Sequence, residues 1–427
     1  MRVYFHTFGC KANQYDTERI RQEAEARGAE AVGSWTRADA CVVNTCTVTG
    51  HADAGARRFV RRLARENPGL RVVVAGCSAA LHASAYRAMG EVAGVVEGHD
   101  PVEVATALLA DAPVELGLDA PLEGMHAEPM GGELLQRRAG ATRGWLKVQD
   151  GCDRRCSFCA TRLARGASRS RVPEEVAREA ATLAVVHPEL VVTGIHIGQY
   201  GRDLNPPWTL ARLVALVLER VPAVRLRLGS VEATEVDDDL MALLCESEGR
   251  LAPHLHMPLQ SGSDAVLRRM RRWHTREQYR RRAWQIAERS GDMGLGADII
   301  TGFPGETPQD HALTRDLVRE LPFTYLHVFP FSPREGTPAT ALPGRVPQRV
   351  AGERSRELRE LGMEKGLAYR ARRVGTPAQV VLEHRGTTAL TGDYLRVDVP
   401  EPPPSPGRLL EGTLQGGGGH LYIAWPR

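Results

Sequence analysis

Four short apolar runs open the chain: Val3–Phe8, Ala40–Val43, Leu70–Ala75 and Val92–Val96. Polar stretches with helical periodicity separate them, among them Asp16–Arg27 and Asp53–Glu66. Strands alternating with helices predict a parallel sheet, here within residues 1–110. Over residues 111–142 the periodicity fades and Gly, Pro, Ala and Glu dominate, the composition of a linker. Six more strand-like runs follow at Gly144–Gln149, Leu190–Gly194, Val224–Gly229, Leu255–Pro258, Gly296–Thr301 and Tyr325–Phe331. Each ends in a polar or glycine-rich loop, and most lead into a helical stretch. Residues 143–373 therefore predict a partial (β/α)6 barrel, completed by a helix from Gln348 to Arg373. Over 374–427 the runs Ala378–Leu382, Tyr394–Val399, Gly407–Leu410 and His420–Trp425 alternate with Gly/Pro loops, the pattern of a small antiparallel β-barrel. The fold class expected is α/β, with a small all-β domain at the end.

Composition adds limits. Of 427 residues, 42% are hydrophobic and 25% charged, ordinary for a globular protein. The net charge of +3 excludes little. Only Lys11, Lys147 and Lys365 are lysines, so nearly every basic residue is Arg. The arginines cluster at Arg57, Arg58, Arg61, Arg62 and Arg65, at Arg154 to Arg171, and at Arg268, Arg269, Arg271 and Arg272. Such clusters either grip phosphate or line solvated helix faces. No apolar stretch reaches eighteen residues, so no membrane span is expected. Met1–Lys11 lacks the features of a signal peptide. A cytoplasmic location follows as the expectation, and there eight cysteines point to metal or catalysis before disulfides.

The sharpest pattern is Cys152-Asp-Arg-Arg-Cys156-Ser-Phe-Cys159, at the end of the first barrel run. Three thiolates in one loop suit a cubane iron–sulfur cluster with one iron left open for a substrate. A zinc site would ordinarily want paired Cys-x-x-Cys units or added His. Cys10, Cys46 and Cys77 each end a predicted N-terminal strand. In a parallel sheet such ends gather at one edge. By spacing alone they read more readily as scattered core cysteines. Cys41 and Cys245, inside a strand and an amphipathic helix, read as core residues.

The Cys152–Cys159 spacing, with Phe158 at its aromatic position, resembles the radical S-adenosylmethionine superfamily. Gly9-Cys10-Lys11-Ala12-Asn13, Asn44-Thr45-Cys46-Thr47-Val48-Thr49 and Ala75-Gly76-Cys77 resemble the methylthiotransferases within it. The resemblance spans essentially the whole chain: N-terminal domain, radical barrel and a C-terminal TRAM-like RNA-binding domain. It implies two [4Fe-4S] clusters, one on Cys152, Cys156 and Cys159 and an auxiliary one on Cys10, Cys46 and Cys77, with S-adenosyl-L-methionine as cosubstrate.

Further site residues follow from the resemblance and from barrel geometry together. Thr193 and Gly194 end the second run, where relatives contact the methionine amino group; His196 beside them is either a hydrogen-bond donor or a plain loop residue. Ser230 and Glu232 end the third, and Glu232 suits the ribose, the amino group or solvent alike. Gln260 ends the fourth. Ile300 lies in Asp298–Glu306, which resembles the adenine-side motif. Arg165 and Arg171 fall in a run that approaches either S-adenosylmethionine or phosphate.

Phe5-His6-Thr7-Phe8-Gly9-Cys10-Lys11 and Thr193-Gly194-Ile195-His196 look most like the branch acting on N6-threonylcarbamoyladenosine at position 37 of tRNA. The expected partners are the tRNA anticodon stem-loop and an electron donor such as flavodoxin or ferredoxin. The implied reaction puts a methylthio group on adenine C2 after a 5′-deoxyadenosyl radical removes its hydrogen. The proline-rich insert Pro400–Pro406 departs from the usual TRAM pattern. Three alternatives remain open at this stage. One is a sibling acting on N6-isopentenyladenosine or a ribosomal protein aspartate. The others are a radical enzyme that inserts no sulfur and a non-catalytic metal-containing RNA-binding protein.

Overall fold

The computed structural model describes residues 1–110, 114–116, 134–383, 386–403, 409–417 and 419–426. The N-terminal part is a six-stranded parallel sheet. Its strands are β1 (Arg2–Thr7), β2 (Glu30–Ala31), β3 (Ala40–Thr45), β4 (Arg71–Gly76), β5 (Val92–Val96) and β6 (Val114–Leu116), in the order β2-β1-β3-β4-β5-β6. Helices α1 (Lys11–Ala26), α2 (Gly50–Glu66), α3 (Cys77–Arg87) and α4 (Pro101–Leu109) cover it. Val42 and Val73 face one layer of the core and Val43, Val72 and Val74 the other, as period-two strands buried on both faces require.

Three boundaries differ from the sequence reading. Helix α1 starts at Lys11, five residues before the expected Asp16, because its first turns bury polar Asn13 and Asp16, which carry no apolar periodicity. Val114–Leu116, inside the expected linker, pairs with β5 as the sixth strand. Leu135, also inside it, is fully buried in the barrel core. The rest of that expected linker, residues 111–113 and 117–133, lies outside the described residues.

The middle part has six strands: β7 (Gly144–Lys147), β10 (Glu189–Thr193), β11 (Arg225–Leu228), β12 (His254–His256), β13 (Gly294–Thr301) and β14 (Tyr325–Pro330). A short pair, β8 (Gln149–Asp150) and β9 (Arg169–Ser170), stands between the first two. Strands β7, β10 and β11 form one parallel sheet and β12, β13 and β14 another. Parallel bridges Leu226↔Leu251 and Ser230↔His256 join the two sheets into one partial barrel. Leu226, Leu228, Leu255, Leu295, Ala297 and Ile299 pack outward in the main core. By strand alternation, Arg225, Arg227, His254, His256, Gly296 and Asp298 then face the barrel interior.

Helix α12 (Gln348–Arg373) leads to a closed barrel of β15 (Pro377–Glu383), β16 (Thr388–Thr391), β17 (Arg396–Asp398), β18 (Leu410–Gly417) and β19 (His420–Ala424). Every pairing in it is antiparallel except the single contact Asp398↔Tyr422. Strand β16 was not foreseen, and β18 begins where the expected run at Gly407–Leu410 ends; residues 404–408 lie outside the described set. This barrel plugs the floor of the middle one. Arg225 donates to the carbonyls of Gln379 (2.9 Å) and Leu390 (3.3 Å). Arg227 donates to those of Gly392 (2.8 Å) and Thr391 (2.9 Å). Glu189, fully buried, takes both guanidinium groups at 2.6 and 2.8 Å.

Candidate active site

Both cysteine triplets sit where strand ends meet. Cys10 caps α1 after β1, Cys46 follows β3, and Cys77 opens α3 after β4. Gly9 adopts φ +102°, and a Cβ there would stand 2.6 Å from Cys46 Sγ, so only glycine lets the Cys10 turn close onto Cys46. Burial pushes the Cys46 thiol up to about 11 and the Cys77 thiol up to about 12, and each also feels the charge of Cys10. Cys152, Cys156 and Cys159 occupy the loop after β8. Gly151 at φ +68° turns that loop, and a Cβ there would strike the Ala167 carbonyl at 1.8 Å. Burial lifts Cys152 to about 12, with Cys159 and Cys156 adding to it.

Thiols held protonated by burial and by one another suit a bound cation, which favours the thiolate. Among the described residues neither triplet closes to within 4.8 Å at its ligand atoms. Thiolates on a single zinc, each at about 2.3 Å from it, would stand about 4 Å apart. A donor set made of thiols alone is the sulfur-rich ligation that iron–sulfur clusters need.

One guanidinium links the two triplets. Arg165, fully buried at the end of α5 (Thr161–Arg165), donates to Cys77 Sγ (3.1 Å), Asn13 Oδ1 (2.5 Å), Asp16 Oδ2 (2.7 Å) and both oxygens of Asp150 (2.9 and 2.8 Å). Asp150 stands two residues before Cys152. Lys147 completes the network, 2.6 Å from Asp16 and 2.7 Å from Asp150, with His99 3.2 Å from Asp150. Burial alone would raise Asp150, but Arg165 and Lys147 outweigh it and hold this carboxyl well below the usual range. Nothing in the spacing of the sequence announced this network. Asn13 and Asp16 stand out only as polar residues near a cysteine.

The other expected residues divide. Phe158 and Ile300 pack in one small apolar cluster with Phe303 and Phe331. Thr193 ends β10, and a Cβ on Gly194 would meet the Gln149 carbonyl at 2.7 Å, so backbone runs close here. Ser230 pairs with His256 across the seam. Gln260 holds φ +68°, costly for a non-glycine residue, and is clamped by its N–H to the Asp298 carbonyl (2.8 Å) and its carbonyl to the Ile300 N–H (3.0 Å). Glu232 is no solvated loop carboxylate; it is buried in an ion pair with Arg272, whose guanidinium also reaches Cys156 Sγ at 3.5 Å. His196 lies 3.4 Å from Cys152 Sγ by Nδ1 and 2.8 Å from Glu235 by Nε2, so it is engaged at both ring nitrogens rather than a plain loop residue.

Arg171 is the exception. It is buried and donates to Glu179 (2.9 Å), the Lys147 carbonyl (2.9 Å) and Tyr15 (3.3 Å), a tie between α1 and the barrel rather than a free hand toward a ligand. Cys245 also departs from its reading: it is exposed, because α8 (Asp238–Glu246) turns Leu240, Met241 and Leu244 inward instead. Cys41 is buried as expected. Of the arginine clusters, Arg58, Arg61, Arg62 and Arg65 on α2, with Arg155, Arg268 and Arg271, are exposed.

Comparison with known proteins adds independent findings. Residues 2–97 match the model of the uncharacterized protein family UPF0004, and residues 146–318 that of the radical SAM superfamily. The chain is 34% identical to a threonylcarbamoyladenosine tRNA methylthiotransferase of Rickettsia prowazekii, over 90% of this chain and 88% of that one. It is 37% identical to its Bacillus subtilis namesake, over 83% and 79%. A tRNA-2-methylthio-N(6)-dimethylallyladenosine synthase of Sorangium cellulosum is 36% identical, over 90% and 82%. Among solved structures, a radical S-adenosylmethionine methyltransferase from Kitasatospora setae overlays at a TM-score of 0.57 and 15% identity, covering 79% of this chain and 73% of its own, which shows a shared fold. No helix among the described residues is long and apolar enough to cross a membrane.

Proposed function

Because the chain belongs to the family of radical S-adenosylmethionine tRNA methylthiotransferases, we propose that it places a methylthio group on C2 of N6-threonylcarbamoyladenosine at position 37 of tRNA. The observation that carries this reading is Arg165, which ties the Cys77 sulfur to Asp150, two residues from Cys152, and so links the two thiol triplets through one guanidinium. A non-catalytic RNA-binding protein has no use for either three-thiol site, since a structural metal is closed by four ligands.

Cys152, Cys156 and Cys159 would hold one [4Fe-4S] cluster and Cys10, Cys46 and Cys77 the other; with S-adenosylmethionine bound, the pair supplies the radical and the methylthio sulfur. The surrounding side chains orient and tune. Arg272 offers an N–H group to Cys156 and Arg165 one to Cys77, while His196 sets its Nδ1 beside Cys152. Hydrogen bonds to cluster sulfur raise its potential. Glu232 fixes Arg272, and Glu235 fixes His196. The apolar group of Phe158, Ile300, Phe303 and Phe331 gives a dry wall beside the cysteine loop. An anticodon loop suits the site, because its bases splay out at low cost. The exposed arginines of α2 and the Arg268–Arg271 turn would hold the flanking phosphates. Flavodoxin or ferredoxin would deliver the electron.

The branch is favoured by the first relatives named above and by the words around Cys10 and Thr193. The test is nucleoside mass spectrometry of tRNA from cells with and without the gene. Loss of the 2-methylthio form, with its unmethylthiolated precursor accumulating, is the expected result. An unchanged nucleoside refutes the branch, and isopentenyladenosine and ribosomal protein masses would then be compared.

A further inference from the structure

Helix α1 carries one group that no structural role accounts for. Lys11 follows Cys10 and is only half-buried. Its ammonium has no hydrogen-bond or ion-pair partner among the described residues. It stands within electrostatic reach of Arg143, Arg227 and Glu189, and His254 feels its charge. The neighbouring cations are already engaged. Arg227 donates to Glu189, Gly392 and Thr391. Arg143 donates to Glu383 at 2.8 Å. Glu189 is the shared anion of Arg143, Arg225 and Arg227. Arg143, Arg225 and Arg227 thus share Glu189 and Glu383, and Lys11 feels Glu189 and the Cys10 thiol without pairing with either. An ammonium left unpaired among like charges is unfavourable, and an arriving anion relieves it.

The proposed substrate brings one. Its N6 substituent ends in a threonyl carboxylate. C2 and C6, the carbon that bears N6, flank the same ring nitrogen of adenine. A group that reads the N6 substituent must therefore be built close to the group that acts at C2. Lys11 meets this condition by being the residue after Cys10. We propose that Lys11 is the specificity residue for the N6 substituent, its ammonium pairing with the threonyl carboxylate while C2 faces the cysteine triplets. This rests on the function proposed above. An isopentenyl group would leave the ammonium desolvated and unpaired, so the same residue selects against the uncharged sibling substrate.

The test uses holoenzyme and anticodon stem-loop RNAs carrying threonylcarbamoyladenosine, its methyl ester, isopentenyladenosine or plain adenosine, with binding read by fluorescence anisotropy. The wild type is expected to bind the acid about thirtyfold or more tighter than the ester, the loss typical of removing one partner of a buried charge pair. In Lys11→Met that preference disappears, while the plain adenosine loop binds as before. Iron content is measured alongside, because Lys11 could instead serve only as counter-charge to the neighbouring thiolates. If the variant loses iron, the acid–ester comparison in the wild type decides alone. Equal binding of acid and ester by the wild type overturns the proposal. So does an acid preference that survives in Lys11→Met. A wild type that prefers the isopentenyl loop to the acid overturns the branch reading, and the role of Lys11 with it.

Discussion

Arg165→Met removes the guanidinium between the two triplets and leaves most of its volume. Five hydrogen bonds go with it, four of them to Asn13, Asp16 and Asp150 and one to Cys77 Sγ. Asp16 and Asp150 are both nearly inaccessible, and removing one partner of a buried pair typically costs about 3–5 kcal/mol. Lys147 still reaches both carboxylates, at 2.6 and 2.7 Å, so the loss falls near the low end, about 3 kcal/mol. At about 2 °C per kcal/mol for a large chain, the thermal midpoint should drop by about 6 °C. Because the network joins the N-terminal sheet to the barrel, the drop should come with a second, earlier transition as the two parts uncouple. A thermal scan by calorimetry reads both. The cycle with Asp150→Asn isolates the pair: groups this close should couple by at least about 1 kcal/mol, with the double variant less impaired than the sum. A wild-type midpoint in Arg165→Met, or strict additivity with Asp150→Asn, would refute the reasoning.

Five further outcomes follow. Cys156→Ala should lower anaerobically reconstituted iron by about four atoms per chain and abolish 5′-deoxyadenosine formation. Cys46→Ala should lose a similar amount of iron yet keep that cleavage, and a full iron complement would sink the auxiliary site. Arg272→Met removes the N–H facing Cys156 and should shift the barrel cluster's potential downward, on the order of tens of millivolts by redox titration; an unmoved potential shows that the 3.5 Å contact does nothing. Binding of the stem-loop should weaken steeply with salt if the exposed arginines hold phosphates, and a flat dependence argues against them. Burial, with Arg272 adding to it, holds His274 down to about 4 from 6.5. The folded state then binds fewer protons than the unfolded one between these values. The stability from this group is therefore present above pH 6.5 and falls by about 3 kcal/mol toward pH 4. His274→Gln should flatten that part of a urea-unfolding pH profile.

The strands were legible because both faces of each are buried, so runs such as Val42–Val43 and Leu190–Val192 read directly as apolar. The two cysteine triplets proposed to hold clusters stand out in the sequence, one by its tight spacing and the other by short words around single residues. What the chain hides is the pairing between its parts. Arg165 meets Asn13 and Asp16 across some 150 positions, and no local pattern announces a contact of that span. Polar burial also obscured the start of α1, where Asn13 and Asp16 are interior and Glu18 only partly shielded. Arg171 shows the converse error. Its place in a suggestive run assigned it to a ligand, whereas Glu179, eight residues on, already satisfies it.

The charges beneath the site follow from that placement. Glu189, Arg225 and Arg227 would be replaced by apolar residues if stability alone were at stake, since buried ion pairs seldom outperform good packing. They differ from a packed core in being directional. Arg225 and Arg227 each reach from β11 to particular carbonyls of the C-terminal barrel, and Glu189 sets both guanidinium planes. The network therefore fixes how the small barrel docks beneath the large one, while Arg165 fixes how the N-terminal sheet docks above it. Each joint is built from arginine, whose planar fork is satisfied in few orientations. The reaction proposed above would need two cysteine triplets and one base held in register by three separate parts of the chain. Lys11, the residue after Cys10 and within reach of Arg227, is left without a hydrogen-bond or ion-pair partner among the described residues.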